Sequence, residues 1–493
     1  MHKLDNSSSY SHIIKYTGLF GGVQMLTIII AMVRNKFIAM LLGPSGMGLL
    51  SLFNSTTKMV SDATGLGIQT SGVRNLSAAF EEENNEKIEH EVRLIRSWSL
   101  LTAILGTLLC IVLSPCLNDW TFSWGQHTLH FVLLSPVVGL TALTGGEMAI
   151  LKGVRHLKPL AVVSVLHAII ALIISIPLYF YLGESGIVPS LVLMAVAMMV
   201  LTIYYSWRIF PFRVSFNRLF MREGMGMIRL GIGFVASTLV ISFAEFFVRS
   251  FLNTQGSLEV LGLYNTGYMI TMIYGGMVFA AMETDYFPRL SAEANDRKAA
   301  NVLVNKQIEV SLLIVSPLLV LLIILLPILV PLLFSGRFMD VVPMVQVTVL
   351  ALYMRAMKLP LAYIPLAKGD SLFFLLMESL YALGYILLSI VGFNLWGLFG
   401  AGVGLTVTIV LDFLIQFVCM HIRYGFKVSK RVLSMAASQL PIGMAAYAIT
   451  WMGESVTYYL LGLLLTALSA WVSFQSLKKK TRLLNSIKQR FRK

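Results

Sequence analysis

The sequence predicts an all-α polytopic membrane protein. About fourteen transmembrane helices form two pseudo-symmetric six-helix lobes around a central cavity, followed by an extra C-terminal helix pair, with both termini cytoplasmic. Three observations predict it. Apolar runs long enough to span a bilayer follow one another along the chain, the Lys and Arg between them fall in alternate loops, and the first six runs are echoed by the next six. Of the 493 residues, 57% are hydrophobic and only 13% charged, and the mean hydropathy is +0.79; a soluble domain carries about 25% charged residues. Membrane strands are excluded, because the runs do not alternate and far exceed the roughly ten residues of a barrel strand.

A span takes about 20 apolar residues. The opening residues MHKLDNSSSYSH are polar, and no small-residue cleavage site follows a short apolar run, so the run from Ile13 is expected to remain as the first span. The runs then lie at 13–41, 46–73, 94–114, 128–151, 159–182 and 187–207. After a basic connector come 226–251, 258–285, 308–334, 341–367, 372–392 and 396–421, and a last pair at 432–452 and 456–476. The expected domains are a first lobe over 1–207, the connector over 208–225, a second lobe over 226–425, and the extra pair with a basic tail over 426–493.

The loops on one side, with the tail from 477, hold 26 Lys and Arg, whereas those on the other hold Arg337 alone. That asymmetry puts both termini inside. It also spreads the net charge of +14 over many loops, which fits contact with anionic membrane lipid and gives no single patch for nucleic acid. Cys110, Cys116 and Cys419 have no metal-ligand spacing and read as packing residues. In the longest outer connection, Trp120, Trp124 and His127, with His130 just beyond it, read as an interfacial aromatic belt in preference to a metal site.

The repeat is visible residue by residue. Val33-Arg34 is matched by Val248-Arg249, 215 residues later, and Gly48 by Gly262. Arg74-Asn75-Leu76-Ser77-Ala78 is echoed by Arg289-Leu290-Ser291-Ala292, Leu151-Lys152-Gly153 by Leu366-Ala367-Lys368-Gly369, and Gly186-Ile187 by Gly397-Leu398. With six spans each, both halves enter from the same side and are related by an axis along the membrane normal. Halves of this kind commonly enclose a site and rock against one another. A cation inside a span costs about 2.5–3.5 kcal/mol on insertion scales, so the repeated arginine points to an aqueous cavity and an anionic partner.

Several motifs in order resemble a known family. Asn35-Lys36 followed by GPSGMG at 43–48, EMAILKGVRHLKPLAVVSVL at 147–166, YFPRLSAEANDR at 286–297, FSGRFMDVVPMVQ at 334–346 and WGLFGAGVG at 396–404 together resemble bacterial Wzx-type polysaccharide flippases. These are members of the multidrug/oligosaccharidyl-lipid/polysaccharide (MOP) exporter superfamily, and the resemblance covers about residues 12–425. It implies a V-shaped bundle of two six-helix lobes. It also implies a substrate, an undecaprenyl-pyrophosphate-linked oligosaccharide of the O-antigen, lipopolysaccharide or capsule type, turned from the cytoplasmic to the outer leaflet of the bacterial inner membrane. The partners it implies are that lipid-linked substrate and the polymerase or glycosyltransferase machinery of polysaccharide biosynthesis. The extra C-terminal pair is similar to that of the fourteen-helix lipid II flippases of the same superfamily.

A pyrophosphate needs cations along its path, and Arg offers it a planar fork where Lys offers a point charge. The candidate head-group residues are Arg34, Lys36, Arg249, Arg355 and Lys358, with Tyr353 and Tyr363 as further contacts. Arg34 lies about 13 Å along a helix from Gly43 and Lys36 about 10 Å; some 200° of rotation separates them, so only one can line a given cavity. Carboxylates recur as well, at Asp62, Glu147, Glu245, Glu283, Asp285, Glu378 and Asp412. Glu245, Glu378 and Asp412 are candidates for coupling to Na+ or H+, with charge balance for the cavity cations as the competing reading. Glu147, Lys152 and Arg155 are expected at a cytoplasmic gate. No P-loop, nucleophile triad, metal motif or resident cofactor site appears, so transport is expected and enzymatic catalysis is not. The alternative on the same fold is a cation-coupled multidrug or metabolite antiporter, whose cavity should favour acids.

Overall fold

The structure, a computed structural model, describes residues 6–122 and 125–490, and every regular element among them is helical. Trp124 lies outside the described residues, as do the side chains of Glu283 and Asp285.

The first helix, α1 (Asn6–Thr64), covers the first expected span and most of the second, broken at Gly43. Gly43 takes φ 67°, ψ −171°, a conformation open to glycine, and Pro44 restarts the helix with the fixed φ that suits a first turn. A turn through Gly65, Leu66 and Gly67 leads into α2 (Ile68–Glu81), which continues past the expected end of the span. Then come α3 (Asn85–Thr121), capped by the Asn84 side chain accepting from the Lys87 amide, α4 (Thr128–Gly153), α5 (Leu157–Leu182) and α6 (Ile187–Ile209). The connector contains a short helix, α7 (Arg218–Glu223).

The second repeat begins with α8 (Met225–Gln255) and α9 (Leu258–Tyr268). A π-helical stretch, Met269–Tyr274, joins α9 to α10 (Gly275–Ala292). These are followed by α11 (Arg297–Leu333), α12 (Val342–Ala367) and α13 (Ser371–Tyr424), the last broken at Trp396 and Gly397 as α1 is at Gly43. The final pair is α14 (Lys430–Ile449) and α15 (Val456–Arg490).

Each of the fourteen runs read from the sequence is thus helical. Among the described residues, ten continuous stretches are long and apolar enough to cross a membrane, and three of them, of 43, 52 and 54 residues, contain interior breaks. At about 20 residues per crossing, each of those three is long enough for two.

The chain divides into two compact units, Met1–Gly262 with Leu333–Ser335, and Leu263–Leu332 with Gly336–Lys493. This differs from the lobes expected over 1–207 and 226–425, because α8 is assigned to the first unit. Small and polar residues account for its close fit there. Gly67 meets the Gly231 backbone, Gly48 meets Leu258 and Gly262, and Ser51, Lys58 and Asp62 on α1 contact Arg249, Glu245 and Ser242 on α8. Gly48 and Gly262, equivalent in the two repeats, therefore touch each other, and a methyl group on either would collide with backbone.

Elsewhere in the first unit, α3 and α4 lie side by side because Gly139 and Gly146 admit Thr107 and Ser99, the small-residue packing usual between membrane helices. In the second unit, α12 packs along α13. The extra pair joins it where Gly443 lies against the Tyr353 ring and the Tyr458 hydroxyl donates to the Ile324 carbonyl at 2.9 Å.

Candidate functional site

Within the first unit, α1, α2, α4, α5 and α6 enclose a cavity of about 450 Å³. Arg34 projects into it from α1, with Nη1 3.7 Å from the Met194 sulfur of α6. Lys152 supplies a second cation from the last turn of α4, and Asn54, Gln69, Thr141 and Thr144 supply neutral polar groups. His167 and Tyr179 come from α5, and the Tyr179 hydroxyl is fixed to Ser190 of α6 at 2.6 Å. Gly145 has no side chain because the Gln69 amide occupies the space where a Cβ would stand. Among the described residues the lining contains no carboxylate. The rest of the lining is apolar, from Leu50, Val137, Met148, Leu191 and Met198, so two cations and a few neutral donors and acceptors stand on an apolar background, suited to an anionic group with hydroxyls on an amphiphilic molecule. Lys36 is half-buried and is not part of the lining.

Arg249, the repeat partner of Arg34, is used differently. It is 6% exposed; its Nε donates to Ser51 at 3.2 Å, and its Nη1 donates to the backbone and carboxylate oxygens of Glu245 at 3.1 and 3.4 Å. Glu245 also pairs with Lys58 at 3.4 Å. One carboxylate therefore lies between two cations in the contact of α1 with α8, and Asp62 accepts from Ser242 one turn further on. The spacing of Glu245 and Arg249 anticipates their pairing, whereas Lys58 and Ser51 come from a distant helix.

The three residues expected at a gate are not brought together. Glu147 is buried and receives a two-pronged bond from Arg96, Nε to Oε1 at 2.9 Å and Nη2 to Oε2 at 3.1 Å. The same carboxylate accepts from Ser206 at 2.5 Å and from the Trp207 indole at 3.1 Å. Arg96 also donates to the carbonyls of Phe210 and Pro211, so a single ion pair fastens α3, α4, α6 and the start of the connector. Lys152 faces the cavity instead, and Arg155 pairs with Glu81 on an exposed surface. Helical geometry explains the separation, since Lys152 is five residues from Glu147 and lies about 140° around the axis. Sequence reasoning missed Arg96, whose position near the start of an apolar run makes it resemble an interfacial charge; the buried acid at Glu147 was the available signal that a cation was required.

The second unit gathers another polar cluster. Lys358 of α12 forms a buried ion pair with Asp412 of α13, and its ammonium lies 4.6 Å from the Tyr381 ring centroid. Gln416 donates to Asp412 at 3.3 Å, and Glu378 is within electrostatic reach of both Lys358 and Asp412. Arg355 is directed to the π-helical turn, where Nη1 contacts the Met272 carbonyl at 3.3 Å and its sulfur at 3.2 Å. Widened turns of this kind often occur at functional positions. Tyr264 and Tyr385 share a hydroxyl contact at 2.6 Å beside the stacked Tyr381. The cluster thus contains Glu378 and Asp412 of the three coupling candidates, while Glu245 belongs to the first unit.

Tyr353 is a packing residue: it is fully buried, and its hydroxyl donates to the Ser316 carbonyl at 3.3 Å. Tyr363 packs against Phe287 and Tyr286. His127 stacks on Phe122, with its Nδ1 3.2 Å from that of His130. Among the described residues no group of three or more His, Cys, Asp or Glu is arranged to hold a metal.

Outside the spans, Asp370 accepts from the Tyr424 hydroxyl at 2.7 Å and from Arg423 at 2.9 Å, and it caps the start of α13. The hydrogen bond from Tyr424, followed by those from Arg423 and the Phe373 amide, holds its carboxyl below the usual range.

Comparison with known proteins agrees with this architecture. An inward-facing multidrug resistance MATE family transporter of the MOP superfamily superposes with a TM-score of 0.67 at 15% identity, over 81% of this chain and 94% of that one. The lipid II flippase MurJ in an inward closed conformation gives 0.66 at 14% identity, over 94% and 99%. A MOP superfamily transporter from Pyrococcus furiosus, described as having a binding pocket of reverse polarity, gives 0.60 at 16% identity, over 83% and 96%. No curated protein sequence matches the chain. The sequence family described as polysaccharide biosynthesis protein matches residues 13–293, more than half of the length. The chain is therefore a member of the polysaccharide biosynthesis protein family, built on the fold of the MOP superfamily transporters.

Proposed function

We propose that this multi-pass membrane protein is a flippase that carries an undecaprenyl-pyrophosphate-linked oligosaccharide from the cytoplasmic to the outer leaflet of a bacterial inner membrane, for polysaccharide of the O-antigen or capsule type. The observation that carries the proposal is the cavity of the first unit, where Arg34 and Lys152 stand with Asn54, Gln69, Thr141 and Thr144 on a largely apolar wall and the described lining holds no acid. Arg34 forks onto a phosphate, Lys152 offers a point charge, and the amides and hydroxyls of Asn54, Gln69, Thr141 and Thr144 serve the adjoining sugar. At about 450 Å³ the chamber lies within the usual range for small-molecule sites, about 300–1,000 Å³, enough for a head group while the prenyl chain stays in lipid. Alternating access then opens the site first to one side and then to the other.

Family membership supports the pathway, and two of the similar folds belong to a lipid II flippase and to a transporter whose pocket has reverse polarity. The described lining disfavours the antiporter alternative, because it presents Arg34 and Lys152 to a drug cation and contains no carboxylate. For coupling to Na+ or H+ we assign Glu378 and Asp412, which become available when Lys358 leaves Asp412. Glu245, between Lys58 and Arg249, is assigned to charge balance.

The test is complementation of a flippase-deficient strain, with surface polysaccharide and membrane-protein level measured together. Arg34→Ala and Lys152→Ala are expected to reach the membrane and restore little or no glycan. Full restoration by both variants would refute the assignment of this cavity.

A further inference from the structure

A second cavity, of about 530 Å³, lies on the surface of the second unit between the last turn of α10 and the first turns of α11. Its floor is apolar, formed by Ala292, Ala299, Val302 and Leu303, and Val302 is 51% exposed. Its rim carries Arg289, Lys298 and Lys306, with Glu293 as the one acid of the described lining. Three cations against one carboxylate around an apolar floor is an amphiphilic arrangement.

We propose that this groove binds an anionic phospholipid, with the phosphate held by Arg289 and Lys298 and an acyl chain lying along Val302 and Leu303. Lys298, Val302 and Lys306 recur every four residues and so form one stripe of α11. Lys306 is about 12 Å along the axis from Lys298, and its long stem can follow the apolar floor while its ammonium rises to the head-group level. The groove belongs to a basic loop on the side where the sequence places the excess Lys and Arg, the side whose leaflet carries anionic lipid.

Arg289 has a repeat counterpart in Arg74, but the rest of the charge is not inherited. The segment corresponding to Lys298 and Lys306, from the end of α2 onward, carries Glu81, Glu82, Glu83, Glu86, Glu89 and Glu91 against Lys87 and Arg93. A basic groove has thus been built in one repeat only, on a scaffold whose other copy is acidic.

The test is native mass spectrometry of the purified full-length protein, offered phosphatidylglycerol and phosphatidylcholine in equal amounts. Wild type is expected to retain phosphatidylglycerol preferentially. Arg289→Gln, Lys298→Gln and Lys306→Gln should each weaken that retention about fivefold, the weight of one basic residue at an anionic surface. The triple variant should bind the two lipids alike. Val302→Asn leaves all three cations and the net charge in place and should also lower retention, because it removes the acyl seat. Arg34→Ala should leave retention unchanged, so that this site and the transport cavity succeed or fail separately. Equal retention of both lipids by wild type, or undiminished phosphatidylglycerol in the triple variant, would overturn the proposal. Displacement of phosphatidylglycerol by undecaprenyl pyrophosphate more readily than by phosphatidylglycerol itself would also overturn it, by making the groove a substrate portal.

Discussion

The two units each place basic side chains inside apolar helices, and the cavity of the first surrounds its cations differently from the cluster of the second. In the first, Arg34 and Lys152 face a chamber whose described lining offers no carboxylate. In the second, Lys358 is joined to Asp412, lies against Tyr381, and has Glu378 nearby. The same residue class therefore performs two tasks. On the proposed function one set meets the phosphate of the substrate, whereas the other is paired within the protein. Arg249, the repeat equivalent of Arg34, pairs with Glu245 within the first unit, so the surroundings of a cation are not set by its repeat position.

The contrast is open to attack by substitution. The largest expected effect is on transport: Arg34→Ala should abolish surface glycan, and Arg34→Lys should recover part of it, because a point charge replaces the fork. Measurement of surface polysaccharide against membrane-protein level checks both.

Next in size is an effect on folding. Arg96→Ala leaves Glu147 buried without its two-pronged partner, which should destabilise the protein by about 3–5 kcal/mol. A large drop in thermal midpoint in detergent is the readout, and the double variant Arg96→Met with Glu147→Leu should regain much of the loss, since a buried pair replaced by apolar groups is often nearly neutral.

A smaller version of the same logic applies to the second unit. Lys358→Met alone should be destabilising, and Lys358→Met combined with Asp412→Asn less so. A double-mutant cycle on thermal stability should therefore show strong non-additivity. Additive effects would mean that the pair is not the self-contained unit its geometry indicates.

The smallest effect concerns the cap of α13. The Asp370 carboxyl is held below its ordinary value when folded, so its contribution is complete above the unfolded value of about 3.9 and fades as the pH falls below that. Asp370→Asn should remove that acid-side dependence, lowering stability modestly near neutral pH and changing it little at acid pH, as thermal melts over a pH series would show.

Much of this was legible in the sequence for physical reasons. Long apolar runs dictate helices wherever they occur, and Gly43-Pro44 and Gly397 mark breaks because of their backbone chemistry. Arg34 stood out because its insertion into a span is costly, and the Glu245–Arg249 pair follows from helical spacing. Contacts between distant helices were not legible: nothing local to Glu147 names Arg96, and nothing near Arg249 names Ser51. Grouping Glu147, Lys152 and Arg155 by their nearness in the chain failed because five residues of helix turn a side chain to another face. The assignment of α8 to the first unit was equally hidden, since it rests on glycines and serines that meet only in three dimensions.

The most direct test of the division between an open cationic cavity and a neutralised cluster is the affinity of the purified protein for undecaprenyl pyrophosphate. Wild type would be compared with Arg34→Ala and with the paired variant Lys358→Met, Asp412→Asn. Loss of a charge-assisted bond of about 1.5–3 kcal/mol should weaken binding by about tenfold or more in Arg34→Ala. The paired variant should bind about as wild type does. Unchanged affinity in Arg34→Ala, or an equal loss in the paired variant, would contradict the assignment of the head-group site to the first unit.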